Sequence, residues 1–439
     1  MPHQQILTKI LLLKSNYQVR EIFFNTTWLF ADRILRMGVG LFVSVWVARY
    51  LGVEKYGVFN YSLAFLALFS PFITLGLDNV VIRRIILDSS AKGVILGTTF
   101  WLRLIGASIS LLLAISCISL FRPDDKSTIV LVAILSTAGF FQAFDTIDLW
   151  FQSQVQSKYT VIAKNTAFII ITLPKIALIV MKAPLIAFAW VQVAEFAIGA
   201  VGLLIAYRYA GFSIALWRWS FPLARSLLKE SWPLILASVS TMIYMRIDQI
   251  MLGEMMGTKA VGIYSAATRI SEVWYFIPMA ISSSFTPAIF KAKEISQALF
   301  HQRLRELIRL LIVLSLLVAL PMTFLSTAIT TTLFGTDYLE SGRILSVQIW
   351  AAVFVFMGIG SLPWFVAENC SYLALRITFI GAIVNIILNL MLIPKYGVMG
   401  AAIATVVSQS LSSFVLHLLI RETRQLFRVQ MRAIFLMGL

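Results

Sequence analysis

Twelve apolar stretches, each about 20 residues or longer, limit the folds open to this chain more than any other feature of the sequence. A bilayer's hydrocarbon core is about 30 Å thick, and an α-helix needs about 20 residues to cross it. A membrane-spanning strand needs only about ten residues, so the stretches indicate helices. We therefore expect an all-α integral membrane protein with twelve transmembrane helices. The stretches occupy about 25–50, 59–82, 94–121, 129–151, 158–181, 184–207, 231–252, 260–290, 307–333, 343–366, 372–393 and 398–420.

The composition excludes a soluble enzyme or binding module, because 59% of the 439 residues are hydrophobic and only 13% are charged. A soluble domain carries roughly a quarter of charged residues. The two cysteines, Cys117 and Cys370, lie far apart in apolar surroundings and indicate neither a disulfide framework nor a metal site. No cofactor is expected. Residues 1–24 lack a long apolar centre with a cleavage site, so we interpret them as a retained amphipathic cytoplasmic arm.

The cations are distributed unevenly between the predicted loops. Lys and Arg together number 36 against 20 acidic residues, which gives a formal charge of +16. If the N-terminus is cytoplasmic, about 20 of the loop and terminal cations fall on the cytoplasmic side and about seven on the other side. The positive-inside rule thus predicts cytoplasmic termini at both ends. The excess of cations is assigned to membrane topology and not to nucleic-acid binding.

The expected organisation is two lobes of six helices each, joined on the cytoplasmic side. We divide the chain into an amphipathic cytoplasmic arm (1–24), an N-lobe (25–210), a cytoplasmic linker helix (211–230), a C-lobe (231–420) and a basic cytoplasmic tail (421–439). The loops expected on the outer side are short. They leave no room for an extracytoplasmic catalytic domain.

The two halves of the chain resemble each other in sequence. LGVEKYGVFNYS at 51–62 aligns with MGTKAVGIYSAA at 256–267, an offset of 205 residues. Four glycines coincide in this alignment and are expected at structural turns: Gly52 with Gly257, and Gly57 with Gly262. Two further segments align at offsets of 214–215. Because each copy contains an even number of spans, the repeat is parallel, as in several transporter folds. This repeat indicates a transporter whose substrate path runs between the halves.

Three motifs are typical of one family of transporters. They are LGVEKYGVFNYS, the segment YMRIDQIMLGEMMGTKAVGIYSAATRISEVWYFIPMAI at 244–281, and NLMLIPKYGVMGAAIATVVSQ at 389–409. With them the chain resembles, over nearly its whole length, the polysaccharide transporter (O-antigen flippase) family of the multidrug/oligosaccharidyl-lipid/polysaccharide exporter superfamily. The resemblance implies two six-helix lobes around a V-shaped cavity in a prokaryotic inner membrane.

The resemblance also implies the substrate. It would be an undecaprenyl-pyrophosphate-linked oligosaccharide, moved from the inner to the outer leaflet for O-antigen or other polysaccharide export. Membrane lipids are then expected partners, and a polysaccharide polymerase and glycosyltransferases are candidate partners.

Arginines inside the predicted spans are the candidate substrate-binding residues. An ionisable group in mid-membrane is costly, so it should face the protein interior or a water-filled cavity. Arginine binds phosphate oxygens in bidentate fashion, which suits a pyrophosphate. The alternative is that each arginine pairs with an acid on a neighbouring helix. The candidates are Arg33, Arg36, Arg103, Arg246 and Arg269.

Acidic residues inside the spans are candidates for ion coupling or for charge pairing with these arginines. Spacing on one helix predicts that Asp32 pairs with Arg36 and that Glu272 pairs with Arg269. Glu195 lies in mid-helix and is a further candidate. Asp248 could bind a coupling ion, H⁺ or Na⁺, but the interpretation we favour makes it the partner of an arginine in the other lobe.

Two other functions compete with a lipid-linked oligosaccharide flippase. A multidrug or small-molecule antiporter of the same superfamily would share the fold and the repeat. A cation exporter should, however, have an acidic cavity, and these spans have a slight basic surplus. A membrane glycan polymerase or ligase is disfavoured by the short outer loops and by the absence of a catalytic cluster in them, so we expect no enzyme.

Overall fold

Helices make up nearly all of the computed structural model, which describes the backbone of residues 2–435 and the side chains of Trp28 and residues 35–435. No strand occurs within that described part of the chain. The predicted all-α fold class is thereby confirmed. A helix satisfies its backbone hydrogen bonds internally, which is what an apolar stretch requires in the interior of a bilayer.

The first half of the chain forms helices α1 to α9. Their bounds are Pro2–Ala67 (α1), Ser70–Thr74 (α2), Asp78–Leu87 (α3), Lys92–Phe121 (α4), Lys126–Ser136 (α5), Ala138–Gln142 (α6), Thr146–Ser153 (α7), Lys158–Val180 (α8) and Leu185–Tyr209 (α9). A 3-10 turn at Ala143–Asp145 joins α6 to α7, so that α5 to α7 form one apolar segment. In the segment 211–230, expected to be a linker helix, a 3-10 turn at Ile214–Leu216 precedes the start of the next long helix at Phe221.

The second half forms helices α10 to α19. Their bounds are Phe221–Met256 (α10), Thr258–Val273 (α11), Phe276–Ile295 (α12), Gln297–Phe334 (α13), Leu339–Gln348 (α14), Ala351–Ala367 (α15), Ser371–Tyr396 (α16), Val398–Ser410 (α17), Leu416–Leu419 (α18) and Arg424–Phe435 (α19). A π-helical turn at Leu411–Val415 joins α17 to α18. The basic tail expected after residue 420 therefore contains a helix, α19.

Ten helical segments among the described residues are long and apolar enough to cross a membrane. The count is eleven if Thr336–Gln348 and Ala351–Ala367, which meet at 45°, form one bent span. The difference from the predicted twelve lies mainly in the stretch 59–82, which the end of α1 shares with the short helices α2 and α3. Leu75 and Gly76 interrupt that stretch with φ angles of 53° and 59°. The number twelve remains a prediction.

Large apolar side chains are exposed along these segments. Leu112, Leu173 and Phe324 expose 64, 67 and 83% of their surface, respectively. A soluble protein rarely leaves extended apolar surface open to water, whereas lipid tails are a suitable neighbour for it. The chain is a multi-pass membrane protein.

The chain divides into two compact units. Unit 1 comprises Met1–Gly40 and Phe69–Leu236, and unit 2 comprises Leu41–Leu68 and Ala237–Leu439. The core of unit 1 is built on α3, α4 and α7, and the core of unit 2 on α13 and α15. The predicted lobes, 25–210 and 231–420, remain predictions.

The four glycines of the sequence alignment occupy matching positions within unit 2. Gly52 and Gly257 have positive φ angles of 71° and 89°, which glycine adopts without strain. Gly57 and Gly262 lie inside α1 and α11 instead, and the expectation of a turn at these two is wrong. Their lack of a side chain serves a close approach of the two helices, since a Cβ on Gly57 would lie 2.9 Å from the amide nitrogen of Gly262. The internal repeat itself remains a prediction.

Candidate functional site

A polar cavity of about 190 Å³ lies within unit 2 between α1, α10 and α11. Two of the predicted arginines, Arg246 and Arg269, line this unit 2 pocket together with one acid, Glu272. The remaining lining residues are Asn60, Leu63, Ala64, Ala67, Gln249, Ser265 and Thr268. Both arginines were candidates from the sequence, whereas Asn60 was not.

The unit 2 pocket contains an ion pair and several neutral hydrogen-bonding groups. Arg246 Nη1 on α10 lies 3.4 Å from Glu272 Oε1 on α11. The ion-pair partner of Glu272 is therefore Arg246, whereas spacing along α11 had predicted Arg269. The Arg246 and Glu272 side chains are 28 and 31% exposed, which leaves both accessible from the cavity. Gln249 donates a hydrogen bond to Ser265 Oγ over 3.3 Å. Guanidinium groups beside neutral hydrogen-bonding side chains are the kinds of groups that bind a phosphate and a polar group attached to it.

A second cavity, of about 200 Å³, lies within unit 1 and is lined by Arg36, Lys164 and Glu195 among others; we name it the Arg36 pocket. Glu195 forms an ion pair with Lys175, whose Nζ lies 2.9 Å from Glu195 Oε2, and Glu195 Oε1 lies 4.0 Å from Arg36 Nη1. The Arg36 guanidinium also lies over the Phe168 ring, 5.4 Å from its centre. Glu195 therefore neutralises cations from two other helices.

Two candidates of the first helix, Asp32 and Arg33, have side chains outside the described residues. The pairing of Asp32 with Arg36 and the role of Arg33 in substrate binding thus remain predictions.

A third cavity, also of about 200 Å³, surrounds Arg103 in unit 1; we name it the Arg103 pocket. Arg103 is only 3% exposed and forms an ion pair with Asp78 at the start of α3. Its Nε is buried and has no hydrogen-bond partner within the described residues. Asp78 was not among the acids that the sequence suggested as partners of the arginines.

The two cavities of unit 1 adjoin, since Gln142 and Asp145 line both of them. Lys164 Nζ lies 2.8 Å from Asp145 Oδ1 and 3.4 Å from Asp148 Oδ2. The cations of this region thus face carboxylates on other helices. Arg36 and Arg103 are paired with acids here, as the alternative interpretation of the intramembrane arginines requires.

Asp248 is the centre of a buried polar cluster in unit 2. The carboxylate is 4% exposed. The side chains of Tyr264 and Thr405 donate hydrogen bonds to its Oδ2 over 2.7 and 2.6 Å, and Asn389 Nδ2 donates to Oδ1 over 2.6 Å. Asn385 extends the cluster, because its Oδ1 accepts from Asn389 over 3.1 Å. Within the described residues, the groups that bind the carboxylate are neutral, so the favoured expectation of an arginine partner from the other lobe is wrong.

The Asp248 cluster is rich in oxygen ligands. Asn389 Oδ1 is buried without a hydrogen-bond partner in the described chain. A carboxylate, amide oxygens and hydroxyls are hard donors of the kind that bind small hard cations. Sequence analysis missed the asparagines and Thr405, since they lie 141 and 157 residues from Asp248 and only the fold brings them together.

Comparison with known proteins identifies the family. A family model described as polysaccharide biosynthesis protein matches residues 22–293, which is more than half of the chain. The chain belongs to the polysaccharide biosynthesis protein family. A second model, MatE, matches residues 233–391. The resemblance predicted from the three sequence motifs is thereby confirmed.

Among curated relatives of this family member is the probable low-salt glycan biosynthesis flippase Agl15 of Haloferax volcanii. The two are 28% identical over 221 residues, which cover 48% of this chain and 45% of that protein. The chain thus spans less than half the length of the curated relatives it matches.

Solved structures share the fold of this polysaccharide biosynthesis protein. An inward-facing multidrug resistance MATE family transporter of the MOP superfamily is 13% identical, with a TM-score of 0.73 over 93% of this chain and 99% of that chain. The lipid II flippase MurJ in an inward closed conformation is 16% identical, with a TM-score of 0.67 over 94 and 91% of the two chains. The chain shares the fold of these two proteins.

Proposed function

We propose that this transporter moves a lipid-linked oligosaccharide, with undecaprenyl pyrophosphate as the lipid carrier, from the inner to the outer leaflet by alternating access. The family is one of polysaccharide biosynthesis, and a curated relative is named a glycan biosynthesis flippase. The observation that carries the proposal is that arginines and neutral hydrogen-bonding side chains line the unit 2 pocket together. Two arginines and one acid stand beside an amide-rich and hydroxyl-rich wall, which is suited to a phosphate joined to a sugar.

The cavities of unit 1 supply a different kind of contact. Their cations face carboxylates, which lowers the affinity of these cavities for an additional anion. Carboxylates and amides accept and donate hydrogen bonds to sugar hydroxyls. We assign the unit 2 pocket to the phosphates of the substrate. Arg36 then acts mainly as a partner of Glu195, and Arg33 remains a candidate phosphate ligand.

Asp248 is the proposed coupling site. Its carboxylate is buried among neutral donors and beside an amide oxygen that has no partner in the described chain. Binding of H⁺ or Na⁺ would neutralise a charge that is costly to bury. Glu272, which pairs with Arg246 at the unit 2 pocket, is the proposed charge partner and not a coupling residue.

The proposed setting is the inner membrane of a prokaryotic cell, with both termini cytoplasmic. The excess of loop cations on that side supports this orientation. A polysaccharide polymerase and glycosyltransferases are the proposed partners, because they would consume and supply the lipid-linked glycan. The lobes are proposed to be 25–210 and 231–420, with a cytoplasmic arm before them and a basic tail after them.

The proposal is tested in a strain that lacks the gene. We expect lipid-linked oligosaccharide to accumulate in the inner leaflet and the wild-type gene to restore export. Arg246→Gln and Arg269→Gln should each reduce export by about tenfold or more, because a charge-assisted hydrogen bond contributes roughly 1.5–3 kcal/mol. Arg343→Gln is the matched control, since Arg343 is exposed and lines none of the three cavities.

Other outcomes identify the competing functions. Unchanged glycan export together with hypersensitivity to cationic drugs would indicate a multidrug antiporter. Accumulation of shorter glycans on the outer side would indicate a polymerase or ligase.

A further inference from the structure

The C-terminal helix α19 carries a continuous row of arginines on its exposed side. Arg424, Arg428 and Arg432 follow one another at intervals of four residues and are all exposed. This spacing places them along one face of the helix, over a length of about 12 Å. Residues 424–435 contain no acid, so no carboxylate of the helix itself neutralises the row.

The opposite face of α19 is already occupied by the protein. Leu426, Val429 and Ala433 belong to the core cluster of unit 2. Gln430 is fully buried, where it donates hydrogen bonds to Ser361 Oγ and to the Ser413 carbonyl, each over 3.0 Å. An ordinary amphipathic anchor inserts its apolar face into lipid. The buried apolar residues of this helix cannot do so without leaving their core, so its charged face and the terminal Phe435, which is 71% exposed, remain available to a partner.

Two neighbouring segments indicate where this basic face lies relative to the membrane. Leu419, five residues before α19 begins, is 62% exposed and ends an apolar membrane-crossing segment. On the helix against which α19 packs, α13, exposed apolar residues begin at Leu310 and continue to Leu317. Arg303 and Arg309, just before this stretch, are exposed as well. The arginines of α19 therefore lie next to the positions where both segments begin to face lipid tails.

We propose that the exposed face of α19 binds the anionic headgroups of phospholipids in the adjacent leaflet, with phosphatidylglycerol as the representative lipid. A row of three guanidinium groups next to the lipid-facing surface is complementary to a layer of phosphate headgroups. The contact is electrostatic, because the apolar face is buried in unit 2. It does not depend on the identity of the transported substrate.

The test uses the full-length protein in detergent, with lipid binding measured by native mass spectrometry. Phosphatidylglycerol and phosphatidylcholine are titrated separately. We expect the wild type to bind phosphatidylglycerol more tightly and Arg428→Gln/Arg432→Gln to lose about 25-fold in that affinity, about fivefold for each arginine. Arg424 is left in place because its Nε donates to the Leu418 carbonyl over 3.2 Å and stabilises the junction.

The control is Lys126→Gln/Arg343→Gln, which removes two exposed cations remote in sequence from α19. It should bind phosphatidylglycerol as the wild type does. Thermal unfolding of the double arginine variant should be unchanged, which separates a loss of lipid from a loss of fold. Equal affinity of the wild type for both lipids, or equal losses in the two variants, would overturn the proposal.

A photo-crosslinker at exposed Gln425 distinguishes a lipid from a protein occupant in the native membrane. We expect crosslinks to phospholipid. A crosslink confined to one protein band, without lipid adducts, would contradict the proposal.

Discussion

Gly57 of α1 and Gly262 of α11 stand face to face within unit 2, so that a Cβ on Gly262 would lie 3.2 Å from the amide nitrogen of Gly57. Gly57 lies five residues after Gly52, and Gly262 lies five residues after Gly257; both preceding glycines have positive φ angles. The two segments that meet at this contact thus have the same arrangement of glycines. The two helices can approach this closely only because neither carries a side chain at the contact.

Gly57→Ala should therefore destabilise unit 2. The new methyl group would collide with the Thr258 carbonyl, and relieving the clash requires the helices to separate. Overpacking of this kind costs about 1–3 kcal/mol. Gly38→Ala is the control, since no atom lies within 4 Å of the added Cβ at that helical position. Thermal unfolding in detergent should show a lower midpoint for the first variant and an equal or higher one for the second.

Asp78→Asn should destabilise unit 1, because it leaves the buried Arg103 without its carboxylate. Removing one partner of a fully buried pair costs about 3–5 kcal/mol, but Asp78 is 53% exposed and water lowers that cost, so we expect about 2 kcal/mol. Arg103→Met with Asp78→Asn should recover part of the loss. Unfolding measured for both variants checks this, and equal stability of Asp78→Asn and wild type would show that the pair contributes nothing.

Asp248→Asn should abolish the dependence of export on an ion gradient while preserving the fold. The amide retains the size of the carboxylate and removes a buried charge, so stability should stay the same or rise. The measurement is glycan flipping in proteoliposomes with an imposed Na⁺ or H⁺ gradient. Asp337→Asn is a suitable control, since Asp337 lies in a 3-10 turn between α13 and α14. Gradient-dependent flipping by Asp248→Asn would rule out the coupling role.

Glu195 and Lys175 should show energetic coupling. Glu195→Gln leaves Lys175 and Arg36 without a common acid, whereas Glu195→Gln with Lys175→Gln removes one of the two cations as well. A double-mutant cycle on unfolding should give an interaction of about 1–3 kcal/mol. Additive effects of the two substitutions would mean that the Lys175–Glu195 contact does not stabilise the protein.

The helices could be predicted from the sequence because the length and apolar character of each stretch indicate a membrane-spanning helix. The sequence also marked Arg246 and Arg269 as candidates, because a charge in a span must avoid lipid, and both line the unit 2 pocket. The ion-pair partners of the arginines were less predictable. Spacing along one helix finds neighbours three or four residues away, but Glu272 pairs with Arg246 on another helix and Arg103 pairs with Asp78. Those contacts depend on helix packing, which hydrophobic periodicity does not encode.

The neutral surroundings of Asp248 have a consequence for the order of synthesis. Tyr264 follows it by 16 residues and can enter the membrane almost together with it. Asn389 and Thr405 are translated 141 and 157 residues later. During most of the synthesis of the second half, Tyr264 is therefore the one of these three hydrogen-bond donors already present for the Asp248 carboxylate. The side chain of Asp248 on α10 reaches its final environment only when α16 and α17 have been inserted.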